Sequence, residues 1–248
     1  MVRRRPRPLL DLRPELPDGP AVKLLFAARL LLAALILGAA FGATPSLAQQ
    51  KGEPGRFDYY VLTLSWSPTY CEAMGERAEP AQCSRVRPFA FVVHGLWPQY
   101  TRGWPESCVN PAPYVPEPVL RDVLDIMPSR RLVLHEWRKH GTCSGLSATG
   151  YFETVRRAYD KVTIPAPFHR LDDYRMVSPG EVEAAFRAAN PGLAPDMMSV
   201  ECDKRRLTEV RICMNRQLGF TSCPEVDRRA CRATSVVMPP VRESGRGW

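Results

Sequence analysis

Apolar residues in this chain of 248 fall into alternating or unbroken runs at its two ends and into helical spacing between them. Residues 57–66 (Phe-Asp-Tyr-Tyr-Val-Leu-Thr-Leu-Ser-Trp) are rich in β-branched and aromatic side chains and stop near Pro68, which predicts a strand. Phe89-Ala90-Phe91-Val92-Val93 is an unbroken apolar run, so residues 88–94 predict a second strand, buried on both faces. Between Gln99 and Pro118 five prolines interrupt any regular pattern, and a loop is expected there. Val119, Leu120, Val123, Leu124 and Met127 then follow helical spacing. Ser129 is placed to cap a helix running to His140, with Gly141 as its terminator. Another helix is expected over residues 150–162, with Phe152, Val155 and Tyr159 on one face. Ser178-Pro179-Gly180-Glu181 supplies a cap, a first-turn proline and a capping-box glutamate ahead of a further helix. Strands return at residues 207–213 and 235–238. Strands at both ends with helices clustered between them predict an α+β fold rather than alternating βαβ units.

The first 48 residues follow another logic. Arg3-Arg4-Arg5, Arg7, Lys23 and Arg29 form a basic stretch, residues 30–42 are 13 apolar or small residues, and Ser46-Leu47-Ala48 offers small side chains for cleavage. That order reads as a basic extension with an export signal over residues 1–48. A membrane span needs about 20 apolar residues, so this run is too short for one, and no stable membrane association is expected once it is removed. Residues 49–248 are then expected to form one domain in the periplasm or outside the cell. Residues 1–48 hold seven of the 34 Lys/Arg and three of the 26 Asp/Glu, so the remainder keeps 27 against 23, or +4 of the full chain's +8. Such an excess permits an anionic substrate without identifying one.

All eight cysteines (Cys71, Cys83, Cys108, Cys143, Cys202, Cys213, Cys223 and Cys231) follow the expected cleavage site. An even count beyond an export signal predicts disulfides in an oxidising compartment. No C-x-x-C pair is present, which counts against zinc or redox chemistry. Eight cysteines allow 105 pairings, and the residues alone do not choose among them.

Candidate chemistry is concentrated in two segments, Val93-His94-Gly95-Leu96-Trp97-Pro98 and His135-Glu136-Trp137-Arg138-Lys139-His140. Together they hold three of the four histidines, and imidazoles titrate near neutral pH, so a pair can serve as acid and base. On a helix, residues four apart share a face. Glu136 and His140 therefore form one stripe, in which Glu136 can orient His140, and His135 and Lys139 form another. His135 and His140 are five apart, about 140° round the helix, so the H-E-x-x-H grip on zinc fails on geometry. What remains is an acid–base site without metal or other cofactor. His140 is a base, His94 an opposing acid, and Lys139 with His135 supplies positive charge where a phosphate gains negative charge. RNA transesterification needs that set. Trp137 reads as core and His169 as surface, while Tyr100 is divided between loop packing and base contact.

His-Gly-Leu-Trp-Pro after an apolar strand, followed by His-Glu-Trp-x-Lys-His-Gly-Thr-Cys, resembles the two active-site segments of the ribonuclease T2 family. The resemblance extends over the whole mature chain and implies an α+β fold around a central antiparallel sheet. It implies that His94 is the general acid, that His140 is the general base and that His135 binds phosphate, with Glu136 and Lys139 supporting the transition state. It also implies that Trp97 stacks on the base 5′ to the scissile phosphate. Gln99 stands where some members carry an aspartate that reads adenine, so Trp97, Gln99 and Tyr100 are the candidate substrate-binding residues. The disulfides implied are Cys71–Cys83, Cys108–Cys143, Cys202–Cys231 and Cys213–Cys223. The function implied is a secreted, monomeric, metal-independent endoribonuclease that cuts single-stranded RNA but not DNA, through 2′,3′-cyclic phosphates to 3′-phosphates. The rival reading is a catalytically idle RNA-binding or defence protein on the same fold. A disulfide-rich binding module would leave His135, Glu136, Lys139 and His140 on one helix without a reason.

Overall fold

The architecture follows from one strand that is covered on both faces, by the main core on one and by a smaller apolar cluster on the other. A computed structural model describes residues 50–84 and 86–241, so the export segment expected over residues 1–48 lies outside the described residues. The first half of the chain contains β1 (Gln50–Lys51), β2 (Tyr59–Trp66), α1 (Ser67–Met74), β3 (Phe91–Gln99), β4 (Pro105–Glu106), α2 (Glu117–Val123) and α3 (Arg130–Lys139). The second contains α4 (Ala148–Asp160), β5 (Arg175–Val177), α5 (Pro179–Ala189), β6 (Met198–Cys202), β7 (Leu207–Met214), α6 (Pro224–Asp227) and β8 (Val236–Met238). A four-stranded sheet in the order β3-β2-β7-β6 is antiparallel throughout, and the pairs β1–β4 and β5–β8 lie outside it. The fold is therefore α+β on a central antiparallel sheet, as the segment order predicts.

Alternate residues of β2 divide between two environments, as the pleat requires. Leu62, Leu64 and Trp66 join Leu96, Val210 and Ile212 in the main core, which Val133 and Trp137 of α3, Tyr151 and Phe152 of α4 and Phe186 of α5 complete. Val61 and Tyr59 face the other way, with Cys213, Cys223, Val226 and Trp97. The indole N–H of Trp66 donates to the Pro239 carbonyl (3.0 Å), so even this fully buried ring leaves no polar group unpaired.

The caps fall where expected. Ser129 Oγ accepts from the Leu132 N–H (3.1 Å), and Ser178 and Glu181 close a reciprocal box through Ser178 Oγ and Glu181 Oε2. Three expectations need correction. The strand expected to end at His94 begins at Phe91 and runs on to Gln99, and Pro98 is tolerated because β3 is an edge strand. Helix α3 ends at His140, and the left-handed residue is Gly145 (φ 75°), after a 3₁₀ turn at Gly141–Ser144, so Gly141 is not the terminator. Pro68 and Pro118 each sit in the first turn of a helix, where the missing N–H costs nothing, so α1 and the start of α2 occupy stretches read as breakers.

All four disulfides implied by the resemblance are present: Cys71–Cys83, Cys108–Cys143, Cys202–Cys231 and Cys213–Cys223. Cys108–Cys143 ties the proline-rich loop to the turn behind α3, beside the bond from Ser107 N–H to the Lys139 carbonyl (2.8 Å). Among the described residues no helix is long and apolar enough to cross a membrane.

Candidate active site

A single irregularity in β3 builds the site. Leu64 pairs with Val93 and Thr63 with Gly95, which leaves His94 as the extra residue of a β-bulge. In a regular strand His94 and Trp97, three apart, would face opposite sides of the sheet. The bulge resets that parity. Val93 turns into the main core, while His94 joins Trp97 on the polar face, ring centroids 5.4 Å apart. Residues of β7 meet it there. The His94 Nδ1 shares a 2.6 Å hydrogen bond with Glu209 Oε1, and Arg211 Nη2 donates to Glu209 Oε2 (2.8 Å).

Helix α3 packs against β3 and supplies the other half of the site. Val133, Glu136, Trp137 and His140 are its buried positions, while His135 is exposed and Lys139 partly so. Trp137 is core, as expected, with its N–H donated to the Pro113 carbonyl (2.7 Å). Glu136 does not orient His140. Its carboxylate accepts the Trp97 indole N–H (2.7 Å) and lies 3.8 Å from His94 Nε2. The reason is local: His140 is the C-cap, with φ −116°, and its side chain leaves the stripe that an unbroken helix would give it. The His140 ring stacks on Trp97 instead, centroids 5.1 Å apart and planes 28° apart. Its Nδ1 is buried without a hydrogen-bond partner, which leaves Nε2 to reach a substrate.

The environment drives the pKa values of the half-buried His94 and the buried His140 apart. At His94 burial opposes the charge, but the hydrogen bond and charge of Glu209, with Glu136 behind, prevail and raise its pKa above the ordinary value. At His140 burial acts first and no carboxylate pairs with it, while the charges of Lys139, His94 and His135 add to the effect. Its pKa falls to about 3. Burial and the neighbouring Lys139 and Arg138 also lower His135. One imidazole is thus biased toward its protonated form and the other toward its neutral form around a cavity of about 280 Å³. His94, Trp97, His135, Glu136, Lys139 and His140 all line it. Lys139 Nζ lies 4.0 Å from Glu106 Oε2.

The ribonuclease T2 family model matches residues 57–223. The chain belongs to the ribonuclease T2 family. A curated relative, "Ribonuclease" of Aeromonas hydrophila, is 35% identical over 192 residues, which is 69% of this chain and 78% of that protein. Among solved structures, an RNase-related protein from Calystegia sepium aligns with a TM-score of 0.60 at 22% identity, covering 75% of this chain and 99% of that one. RNase NT in complex with 5′-AMP aligns with a TM-score of 0.57 at 22% identity, covering 75% and 99%.

On this ribonuclease T2 fold the expected substrate-binding residues are unevenly placed. Trp97 and Gln99 line the cavity; Tyr100 does not, and its hydroxyl turns toward Gly52, 3.0 Å from where a β-carbon there would sit. Trp97 is engaged by Glu136 at its edge, by His140 on its face and by Arg211, whose guanidinium is 5.3 Å from the ring centroid. Trp104, Arg211, Glu225 and Arg229 also line the cavity, and none was singled out from sequence.

Glu209 is the most consequential of the residues that sequence reasoning missed. The signal was present: Glu209 and Arg211 are two apart on a strand whose Val210 and Ile212 fill the core, so both charges face the side of His94. Glu209 positions His94 and holds its proton. Glu209→Gln is therefore expected to move the alkaline limb of the kcat/KM profile to lower pH and leave the acid limb in place. A profile unchanged in its alkaline limb would remove Glu209 from this role.

Proposed function

We propose that this chain is an exported endoribonuclease that cleaves single-stranded RNA by attack of the 2′-hydroxyl and needs no metal ion. The observation that carries the proposal is the pair of imidazoles facing one cavity, the half-buried His94 held by the Glu209 carboxylate and the buried His140 with no carboxylate partner, an arrangement that displaces their pKa values in opposite directions. Neutral His140 takes the 2′-hydroxyl proton as the 2′-oxygen attacks phosphorus. Protonated His94 delivers its proton to the departing 5′-oxygen, giving a 2′,3′-cyclic phosphate and a free 5′-hydroxyl. Water then opens the ring to a 3′-phosphate with the two roles reversed. Lys139 offsets the charge that builds on the phosphoryl oxygens, His135 binds the phosphate through a ring N–H, and Glu136, joined to Trp97 and close to His94, fixes the geometry between them. Trp97 and Gln99 are the groups against which the 5′ base is placed.

Acid, base and cation are all supplied by side chains, so no step in this sequence calls for a metal ion. DNA lacks the nucleophile, which is also the group that distinguishes RNA at such a site. Incubation of the purified mature protein with single-stranded RNA in EDTA is expected to yield cyclic phosphates first and 3′-phosphates later. A strand with one 2′-deoxynucleotide is expected to resist at that linkage alone. Cleavage of DNA, or activity lost on chelation and restored by magnesium or zinc, would show the chemistry to be different. Export is supported by four disulfides and is consistent with the basic and apolar segment before Gln49. The mature protein is expected to act as a monomer.

A further inference from the structure

His135 lines a second cavity, of about 430 Å³, which shares His94 and His135 with the first. That cavity is lined by His94 and by Ser65, Gln82 and Ser129, but not by His140. The difference fixes its place in the reaction, on the assignment of His140 as base and His94 as acid. His140 must lie at the 2′-hydroxyl of the nucleoside 5′ to the cut, and His94 at the 5′-oxygen of the nucleoside that leaves. A cavity that His94 shares and His140 does not is where the strand continues in the 3′ direction. Two further residues line it from the exposed side of α3, Arg131 and Arg138. They are seven residues apart, with His135 four from Arg131 and three from Arg138, so the three form one stripe of the helix spanning about 10 Å.

Both arginines are exposed, and neither guanidinium has a hydrogen-bond, ion-pair or ring partner among the described residues. The other arginines of α3 and of the two cavities are all paired. Arg130 beside them is paired to Glu117, Arg156 to Asp125, Arg211 to Glu209 and Glu201, and Arg229 to Glu225. Free guanidiniums with planar forks suit phosphate oxygens. We infer that Arg131 and Arg138 hold the phosphate that follows the leaving nucleoside, a binding site for the RNA strand downstream of the cut. The inference rests on the proposed transesterification and extends it. Catalysis at one linkage then gains binding energy from the next phosphate, and longer strands are better substrates than dinucleotides.

The test compares two substrates with one cleavable bond each. One is a dinucleoside monophosphate whose second sugar is 2′-deoxy. The other is the same molecule extended by one phosphate and one nucleoside at its 3′ end. Wild-type protein is expected to show a kcat/KM about tenfold higher on the extended substrate. In the double variant Arg131→Ala/Arg138→Ala that advantage is expected to vanish, while kcat/KM on the dinucleoside stays within about twofold and the salt slope on the extended substrate falls by about 1. The Arg→Lys pair is expected to recover part of the advantage. An undiminished preference in the alanine variant would overturn the inference, and so would an equal loss on both substrates. Failure of the wild-type protein to cut either substrate would overturn the proposed reaction instead.

Discussion

Alanine in place of His94 or His140 is expected to lower kcat/KM on RNA by about 10²–10⁴-fold each while the protein still folds. Proton transfer at one of the two oxygens is then left to water, and the remaining imidazole cannot serve both ends at once. The double variant is expected to lose much less than the product of the two single losses, because the pair acts as a unit. His135→Ala is expected to cost less than either, since that ring is exposed and holds the phosphate rather than transferring a proton. The pH profile separates the roles. His140, with a pKa of about 3, loses its basic form only in strongly acidic solution, so the acid limb of kcat/KM lies far below the ordinary imidazole value of 6.5. His94 keeps its proton above that value, which places the alkaline limb on the other side of it. The result is a plateau running from acid to near-neutral pH. Near-wild-type turnover in either single variant, measured with circular dichroism to show a folded chain, would remove that residue from the mechanism.

Much of this site can be read from the chain, and what cannot be read has a common cause. Helix α3 carries its information locally: a capping serine, buried Val133 and Trp137 at one spacing, and histidines whose separation excludes zinc. Strand β2 likewise announces itself by composition. A bulge leaves no such trace. Nothing in Val92-Val93-His94-Gly95 says that two residues will oppose one, because the register is set by β2 across the sheet. The same applies to Glu209, which lies 115 residues from His94 and acquires its meaning only when β7 pairs with β2. Glu136 shows the opposite failure. Its spacing to His140 is correct for a shared stripe, but the helix stops at the partner residue and the carboxylate finds Trp97 instead. Local rules break at the site itself, where the structure has been bent to aim side chains.

Gly95→Ala is expected to disable the site as thoroughly as loss of a histidine, although glycine takes no part in the chemistry. A β-carbon at this position would lie 2.2 Å from Glu136 Oε2 and 2.4 Å from Trp97 Nε1, inside contact distance of both partners of one hydrogen bond. Neither partner has room to retreat. Glu136 is 1% exposed, and the Trp97 ring is held by His140 and Arg211. Relief requires β3 to shift next to His94, or Glu136 to give up the Trp97 N–H and leave a buried carboxylate without its donor, which costs about 1–3 kcal/mol or more. Either movement disturbs the acid through Glu136 and the base through Trp97 together. The variant is expected to fall by at least about 10²-fold in kcat/KM, with a lowered melting temperature as the second readout. Gly180→Ala supplies the control. It lies in the first turn of α5, where nothing stands within 4 Å of an added β-carbon, and alanine there is expected to leave activity intact and stability equal or higher by up to about 1 kcal/mol. Wild-type rates in Gly95→Ala would show that the Glu136–Trp97 bond does not hold the acid and base in register.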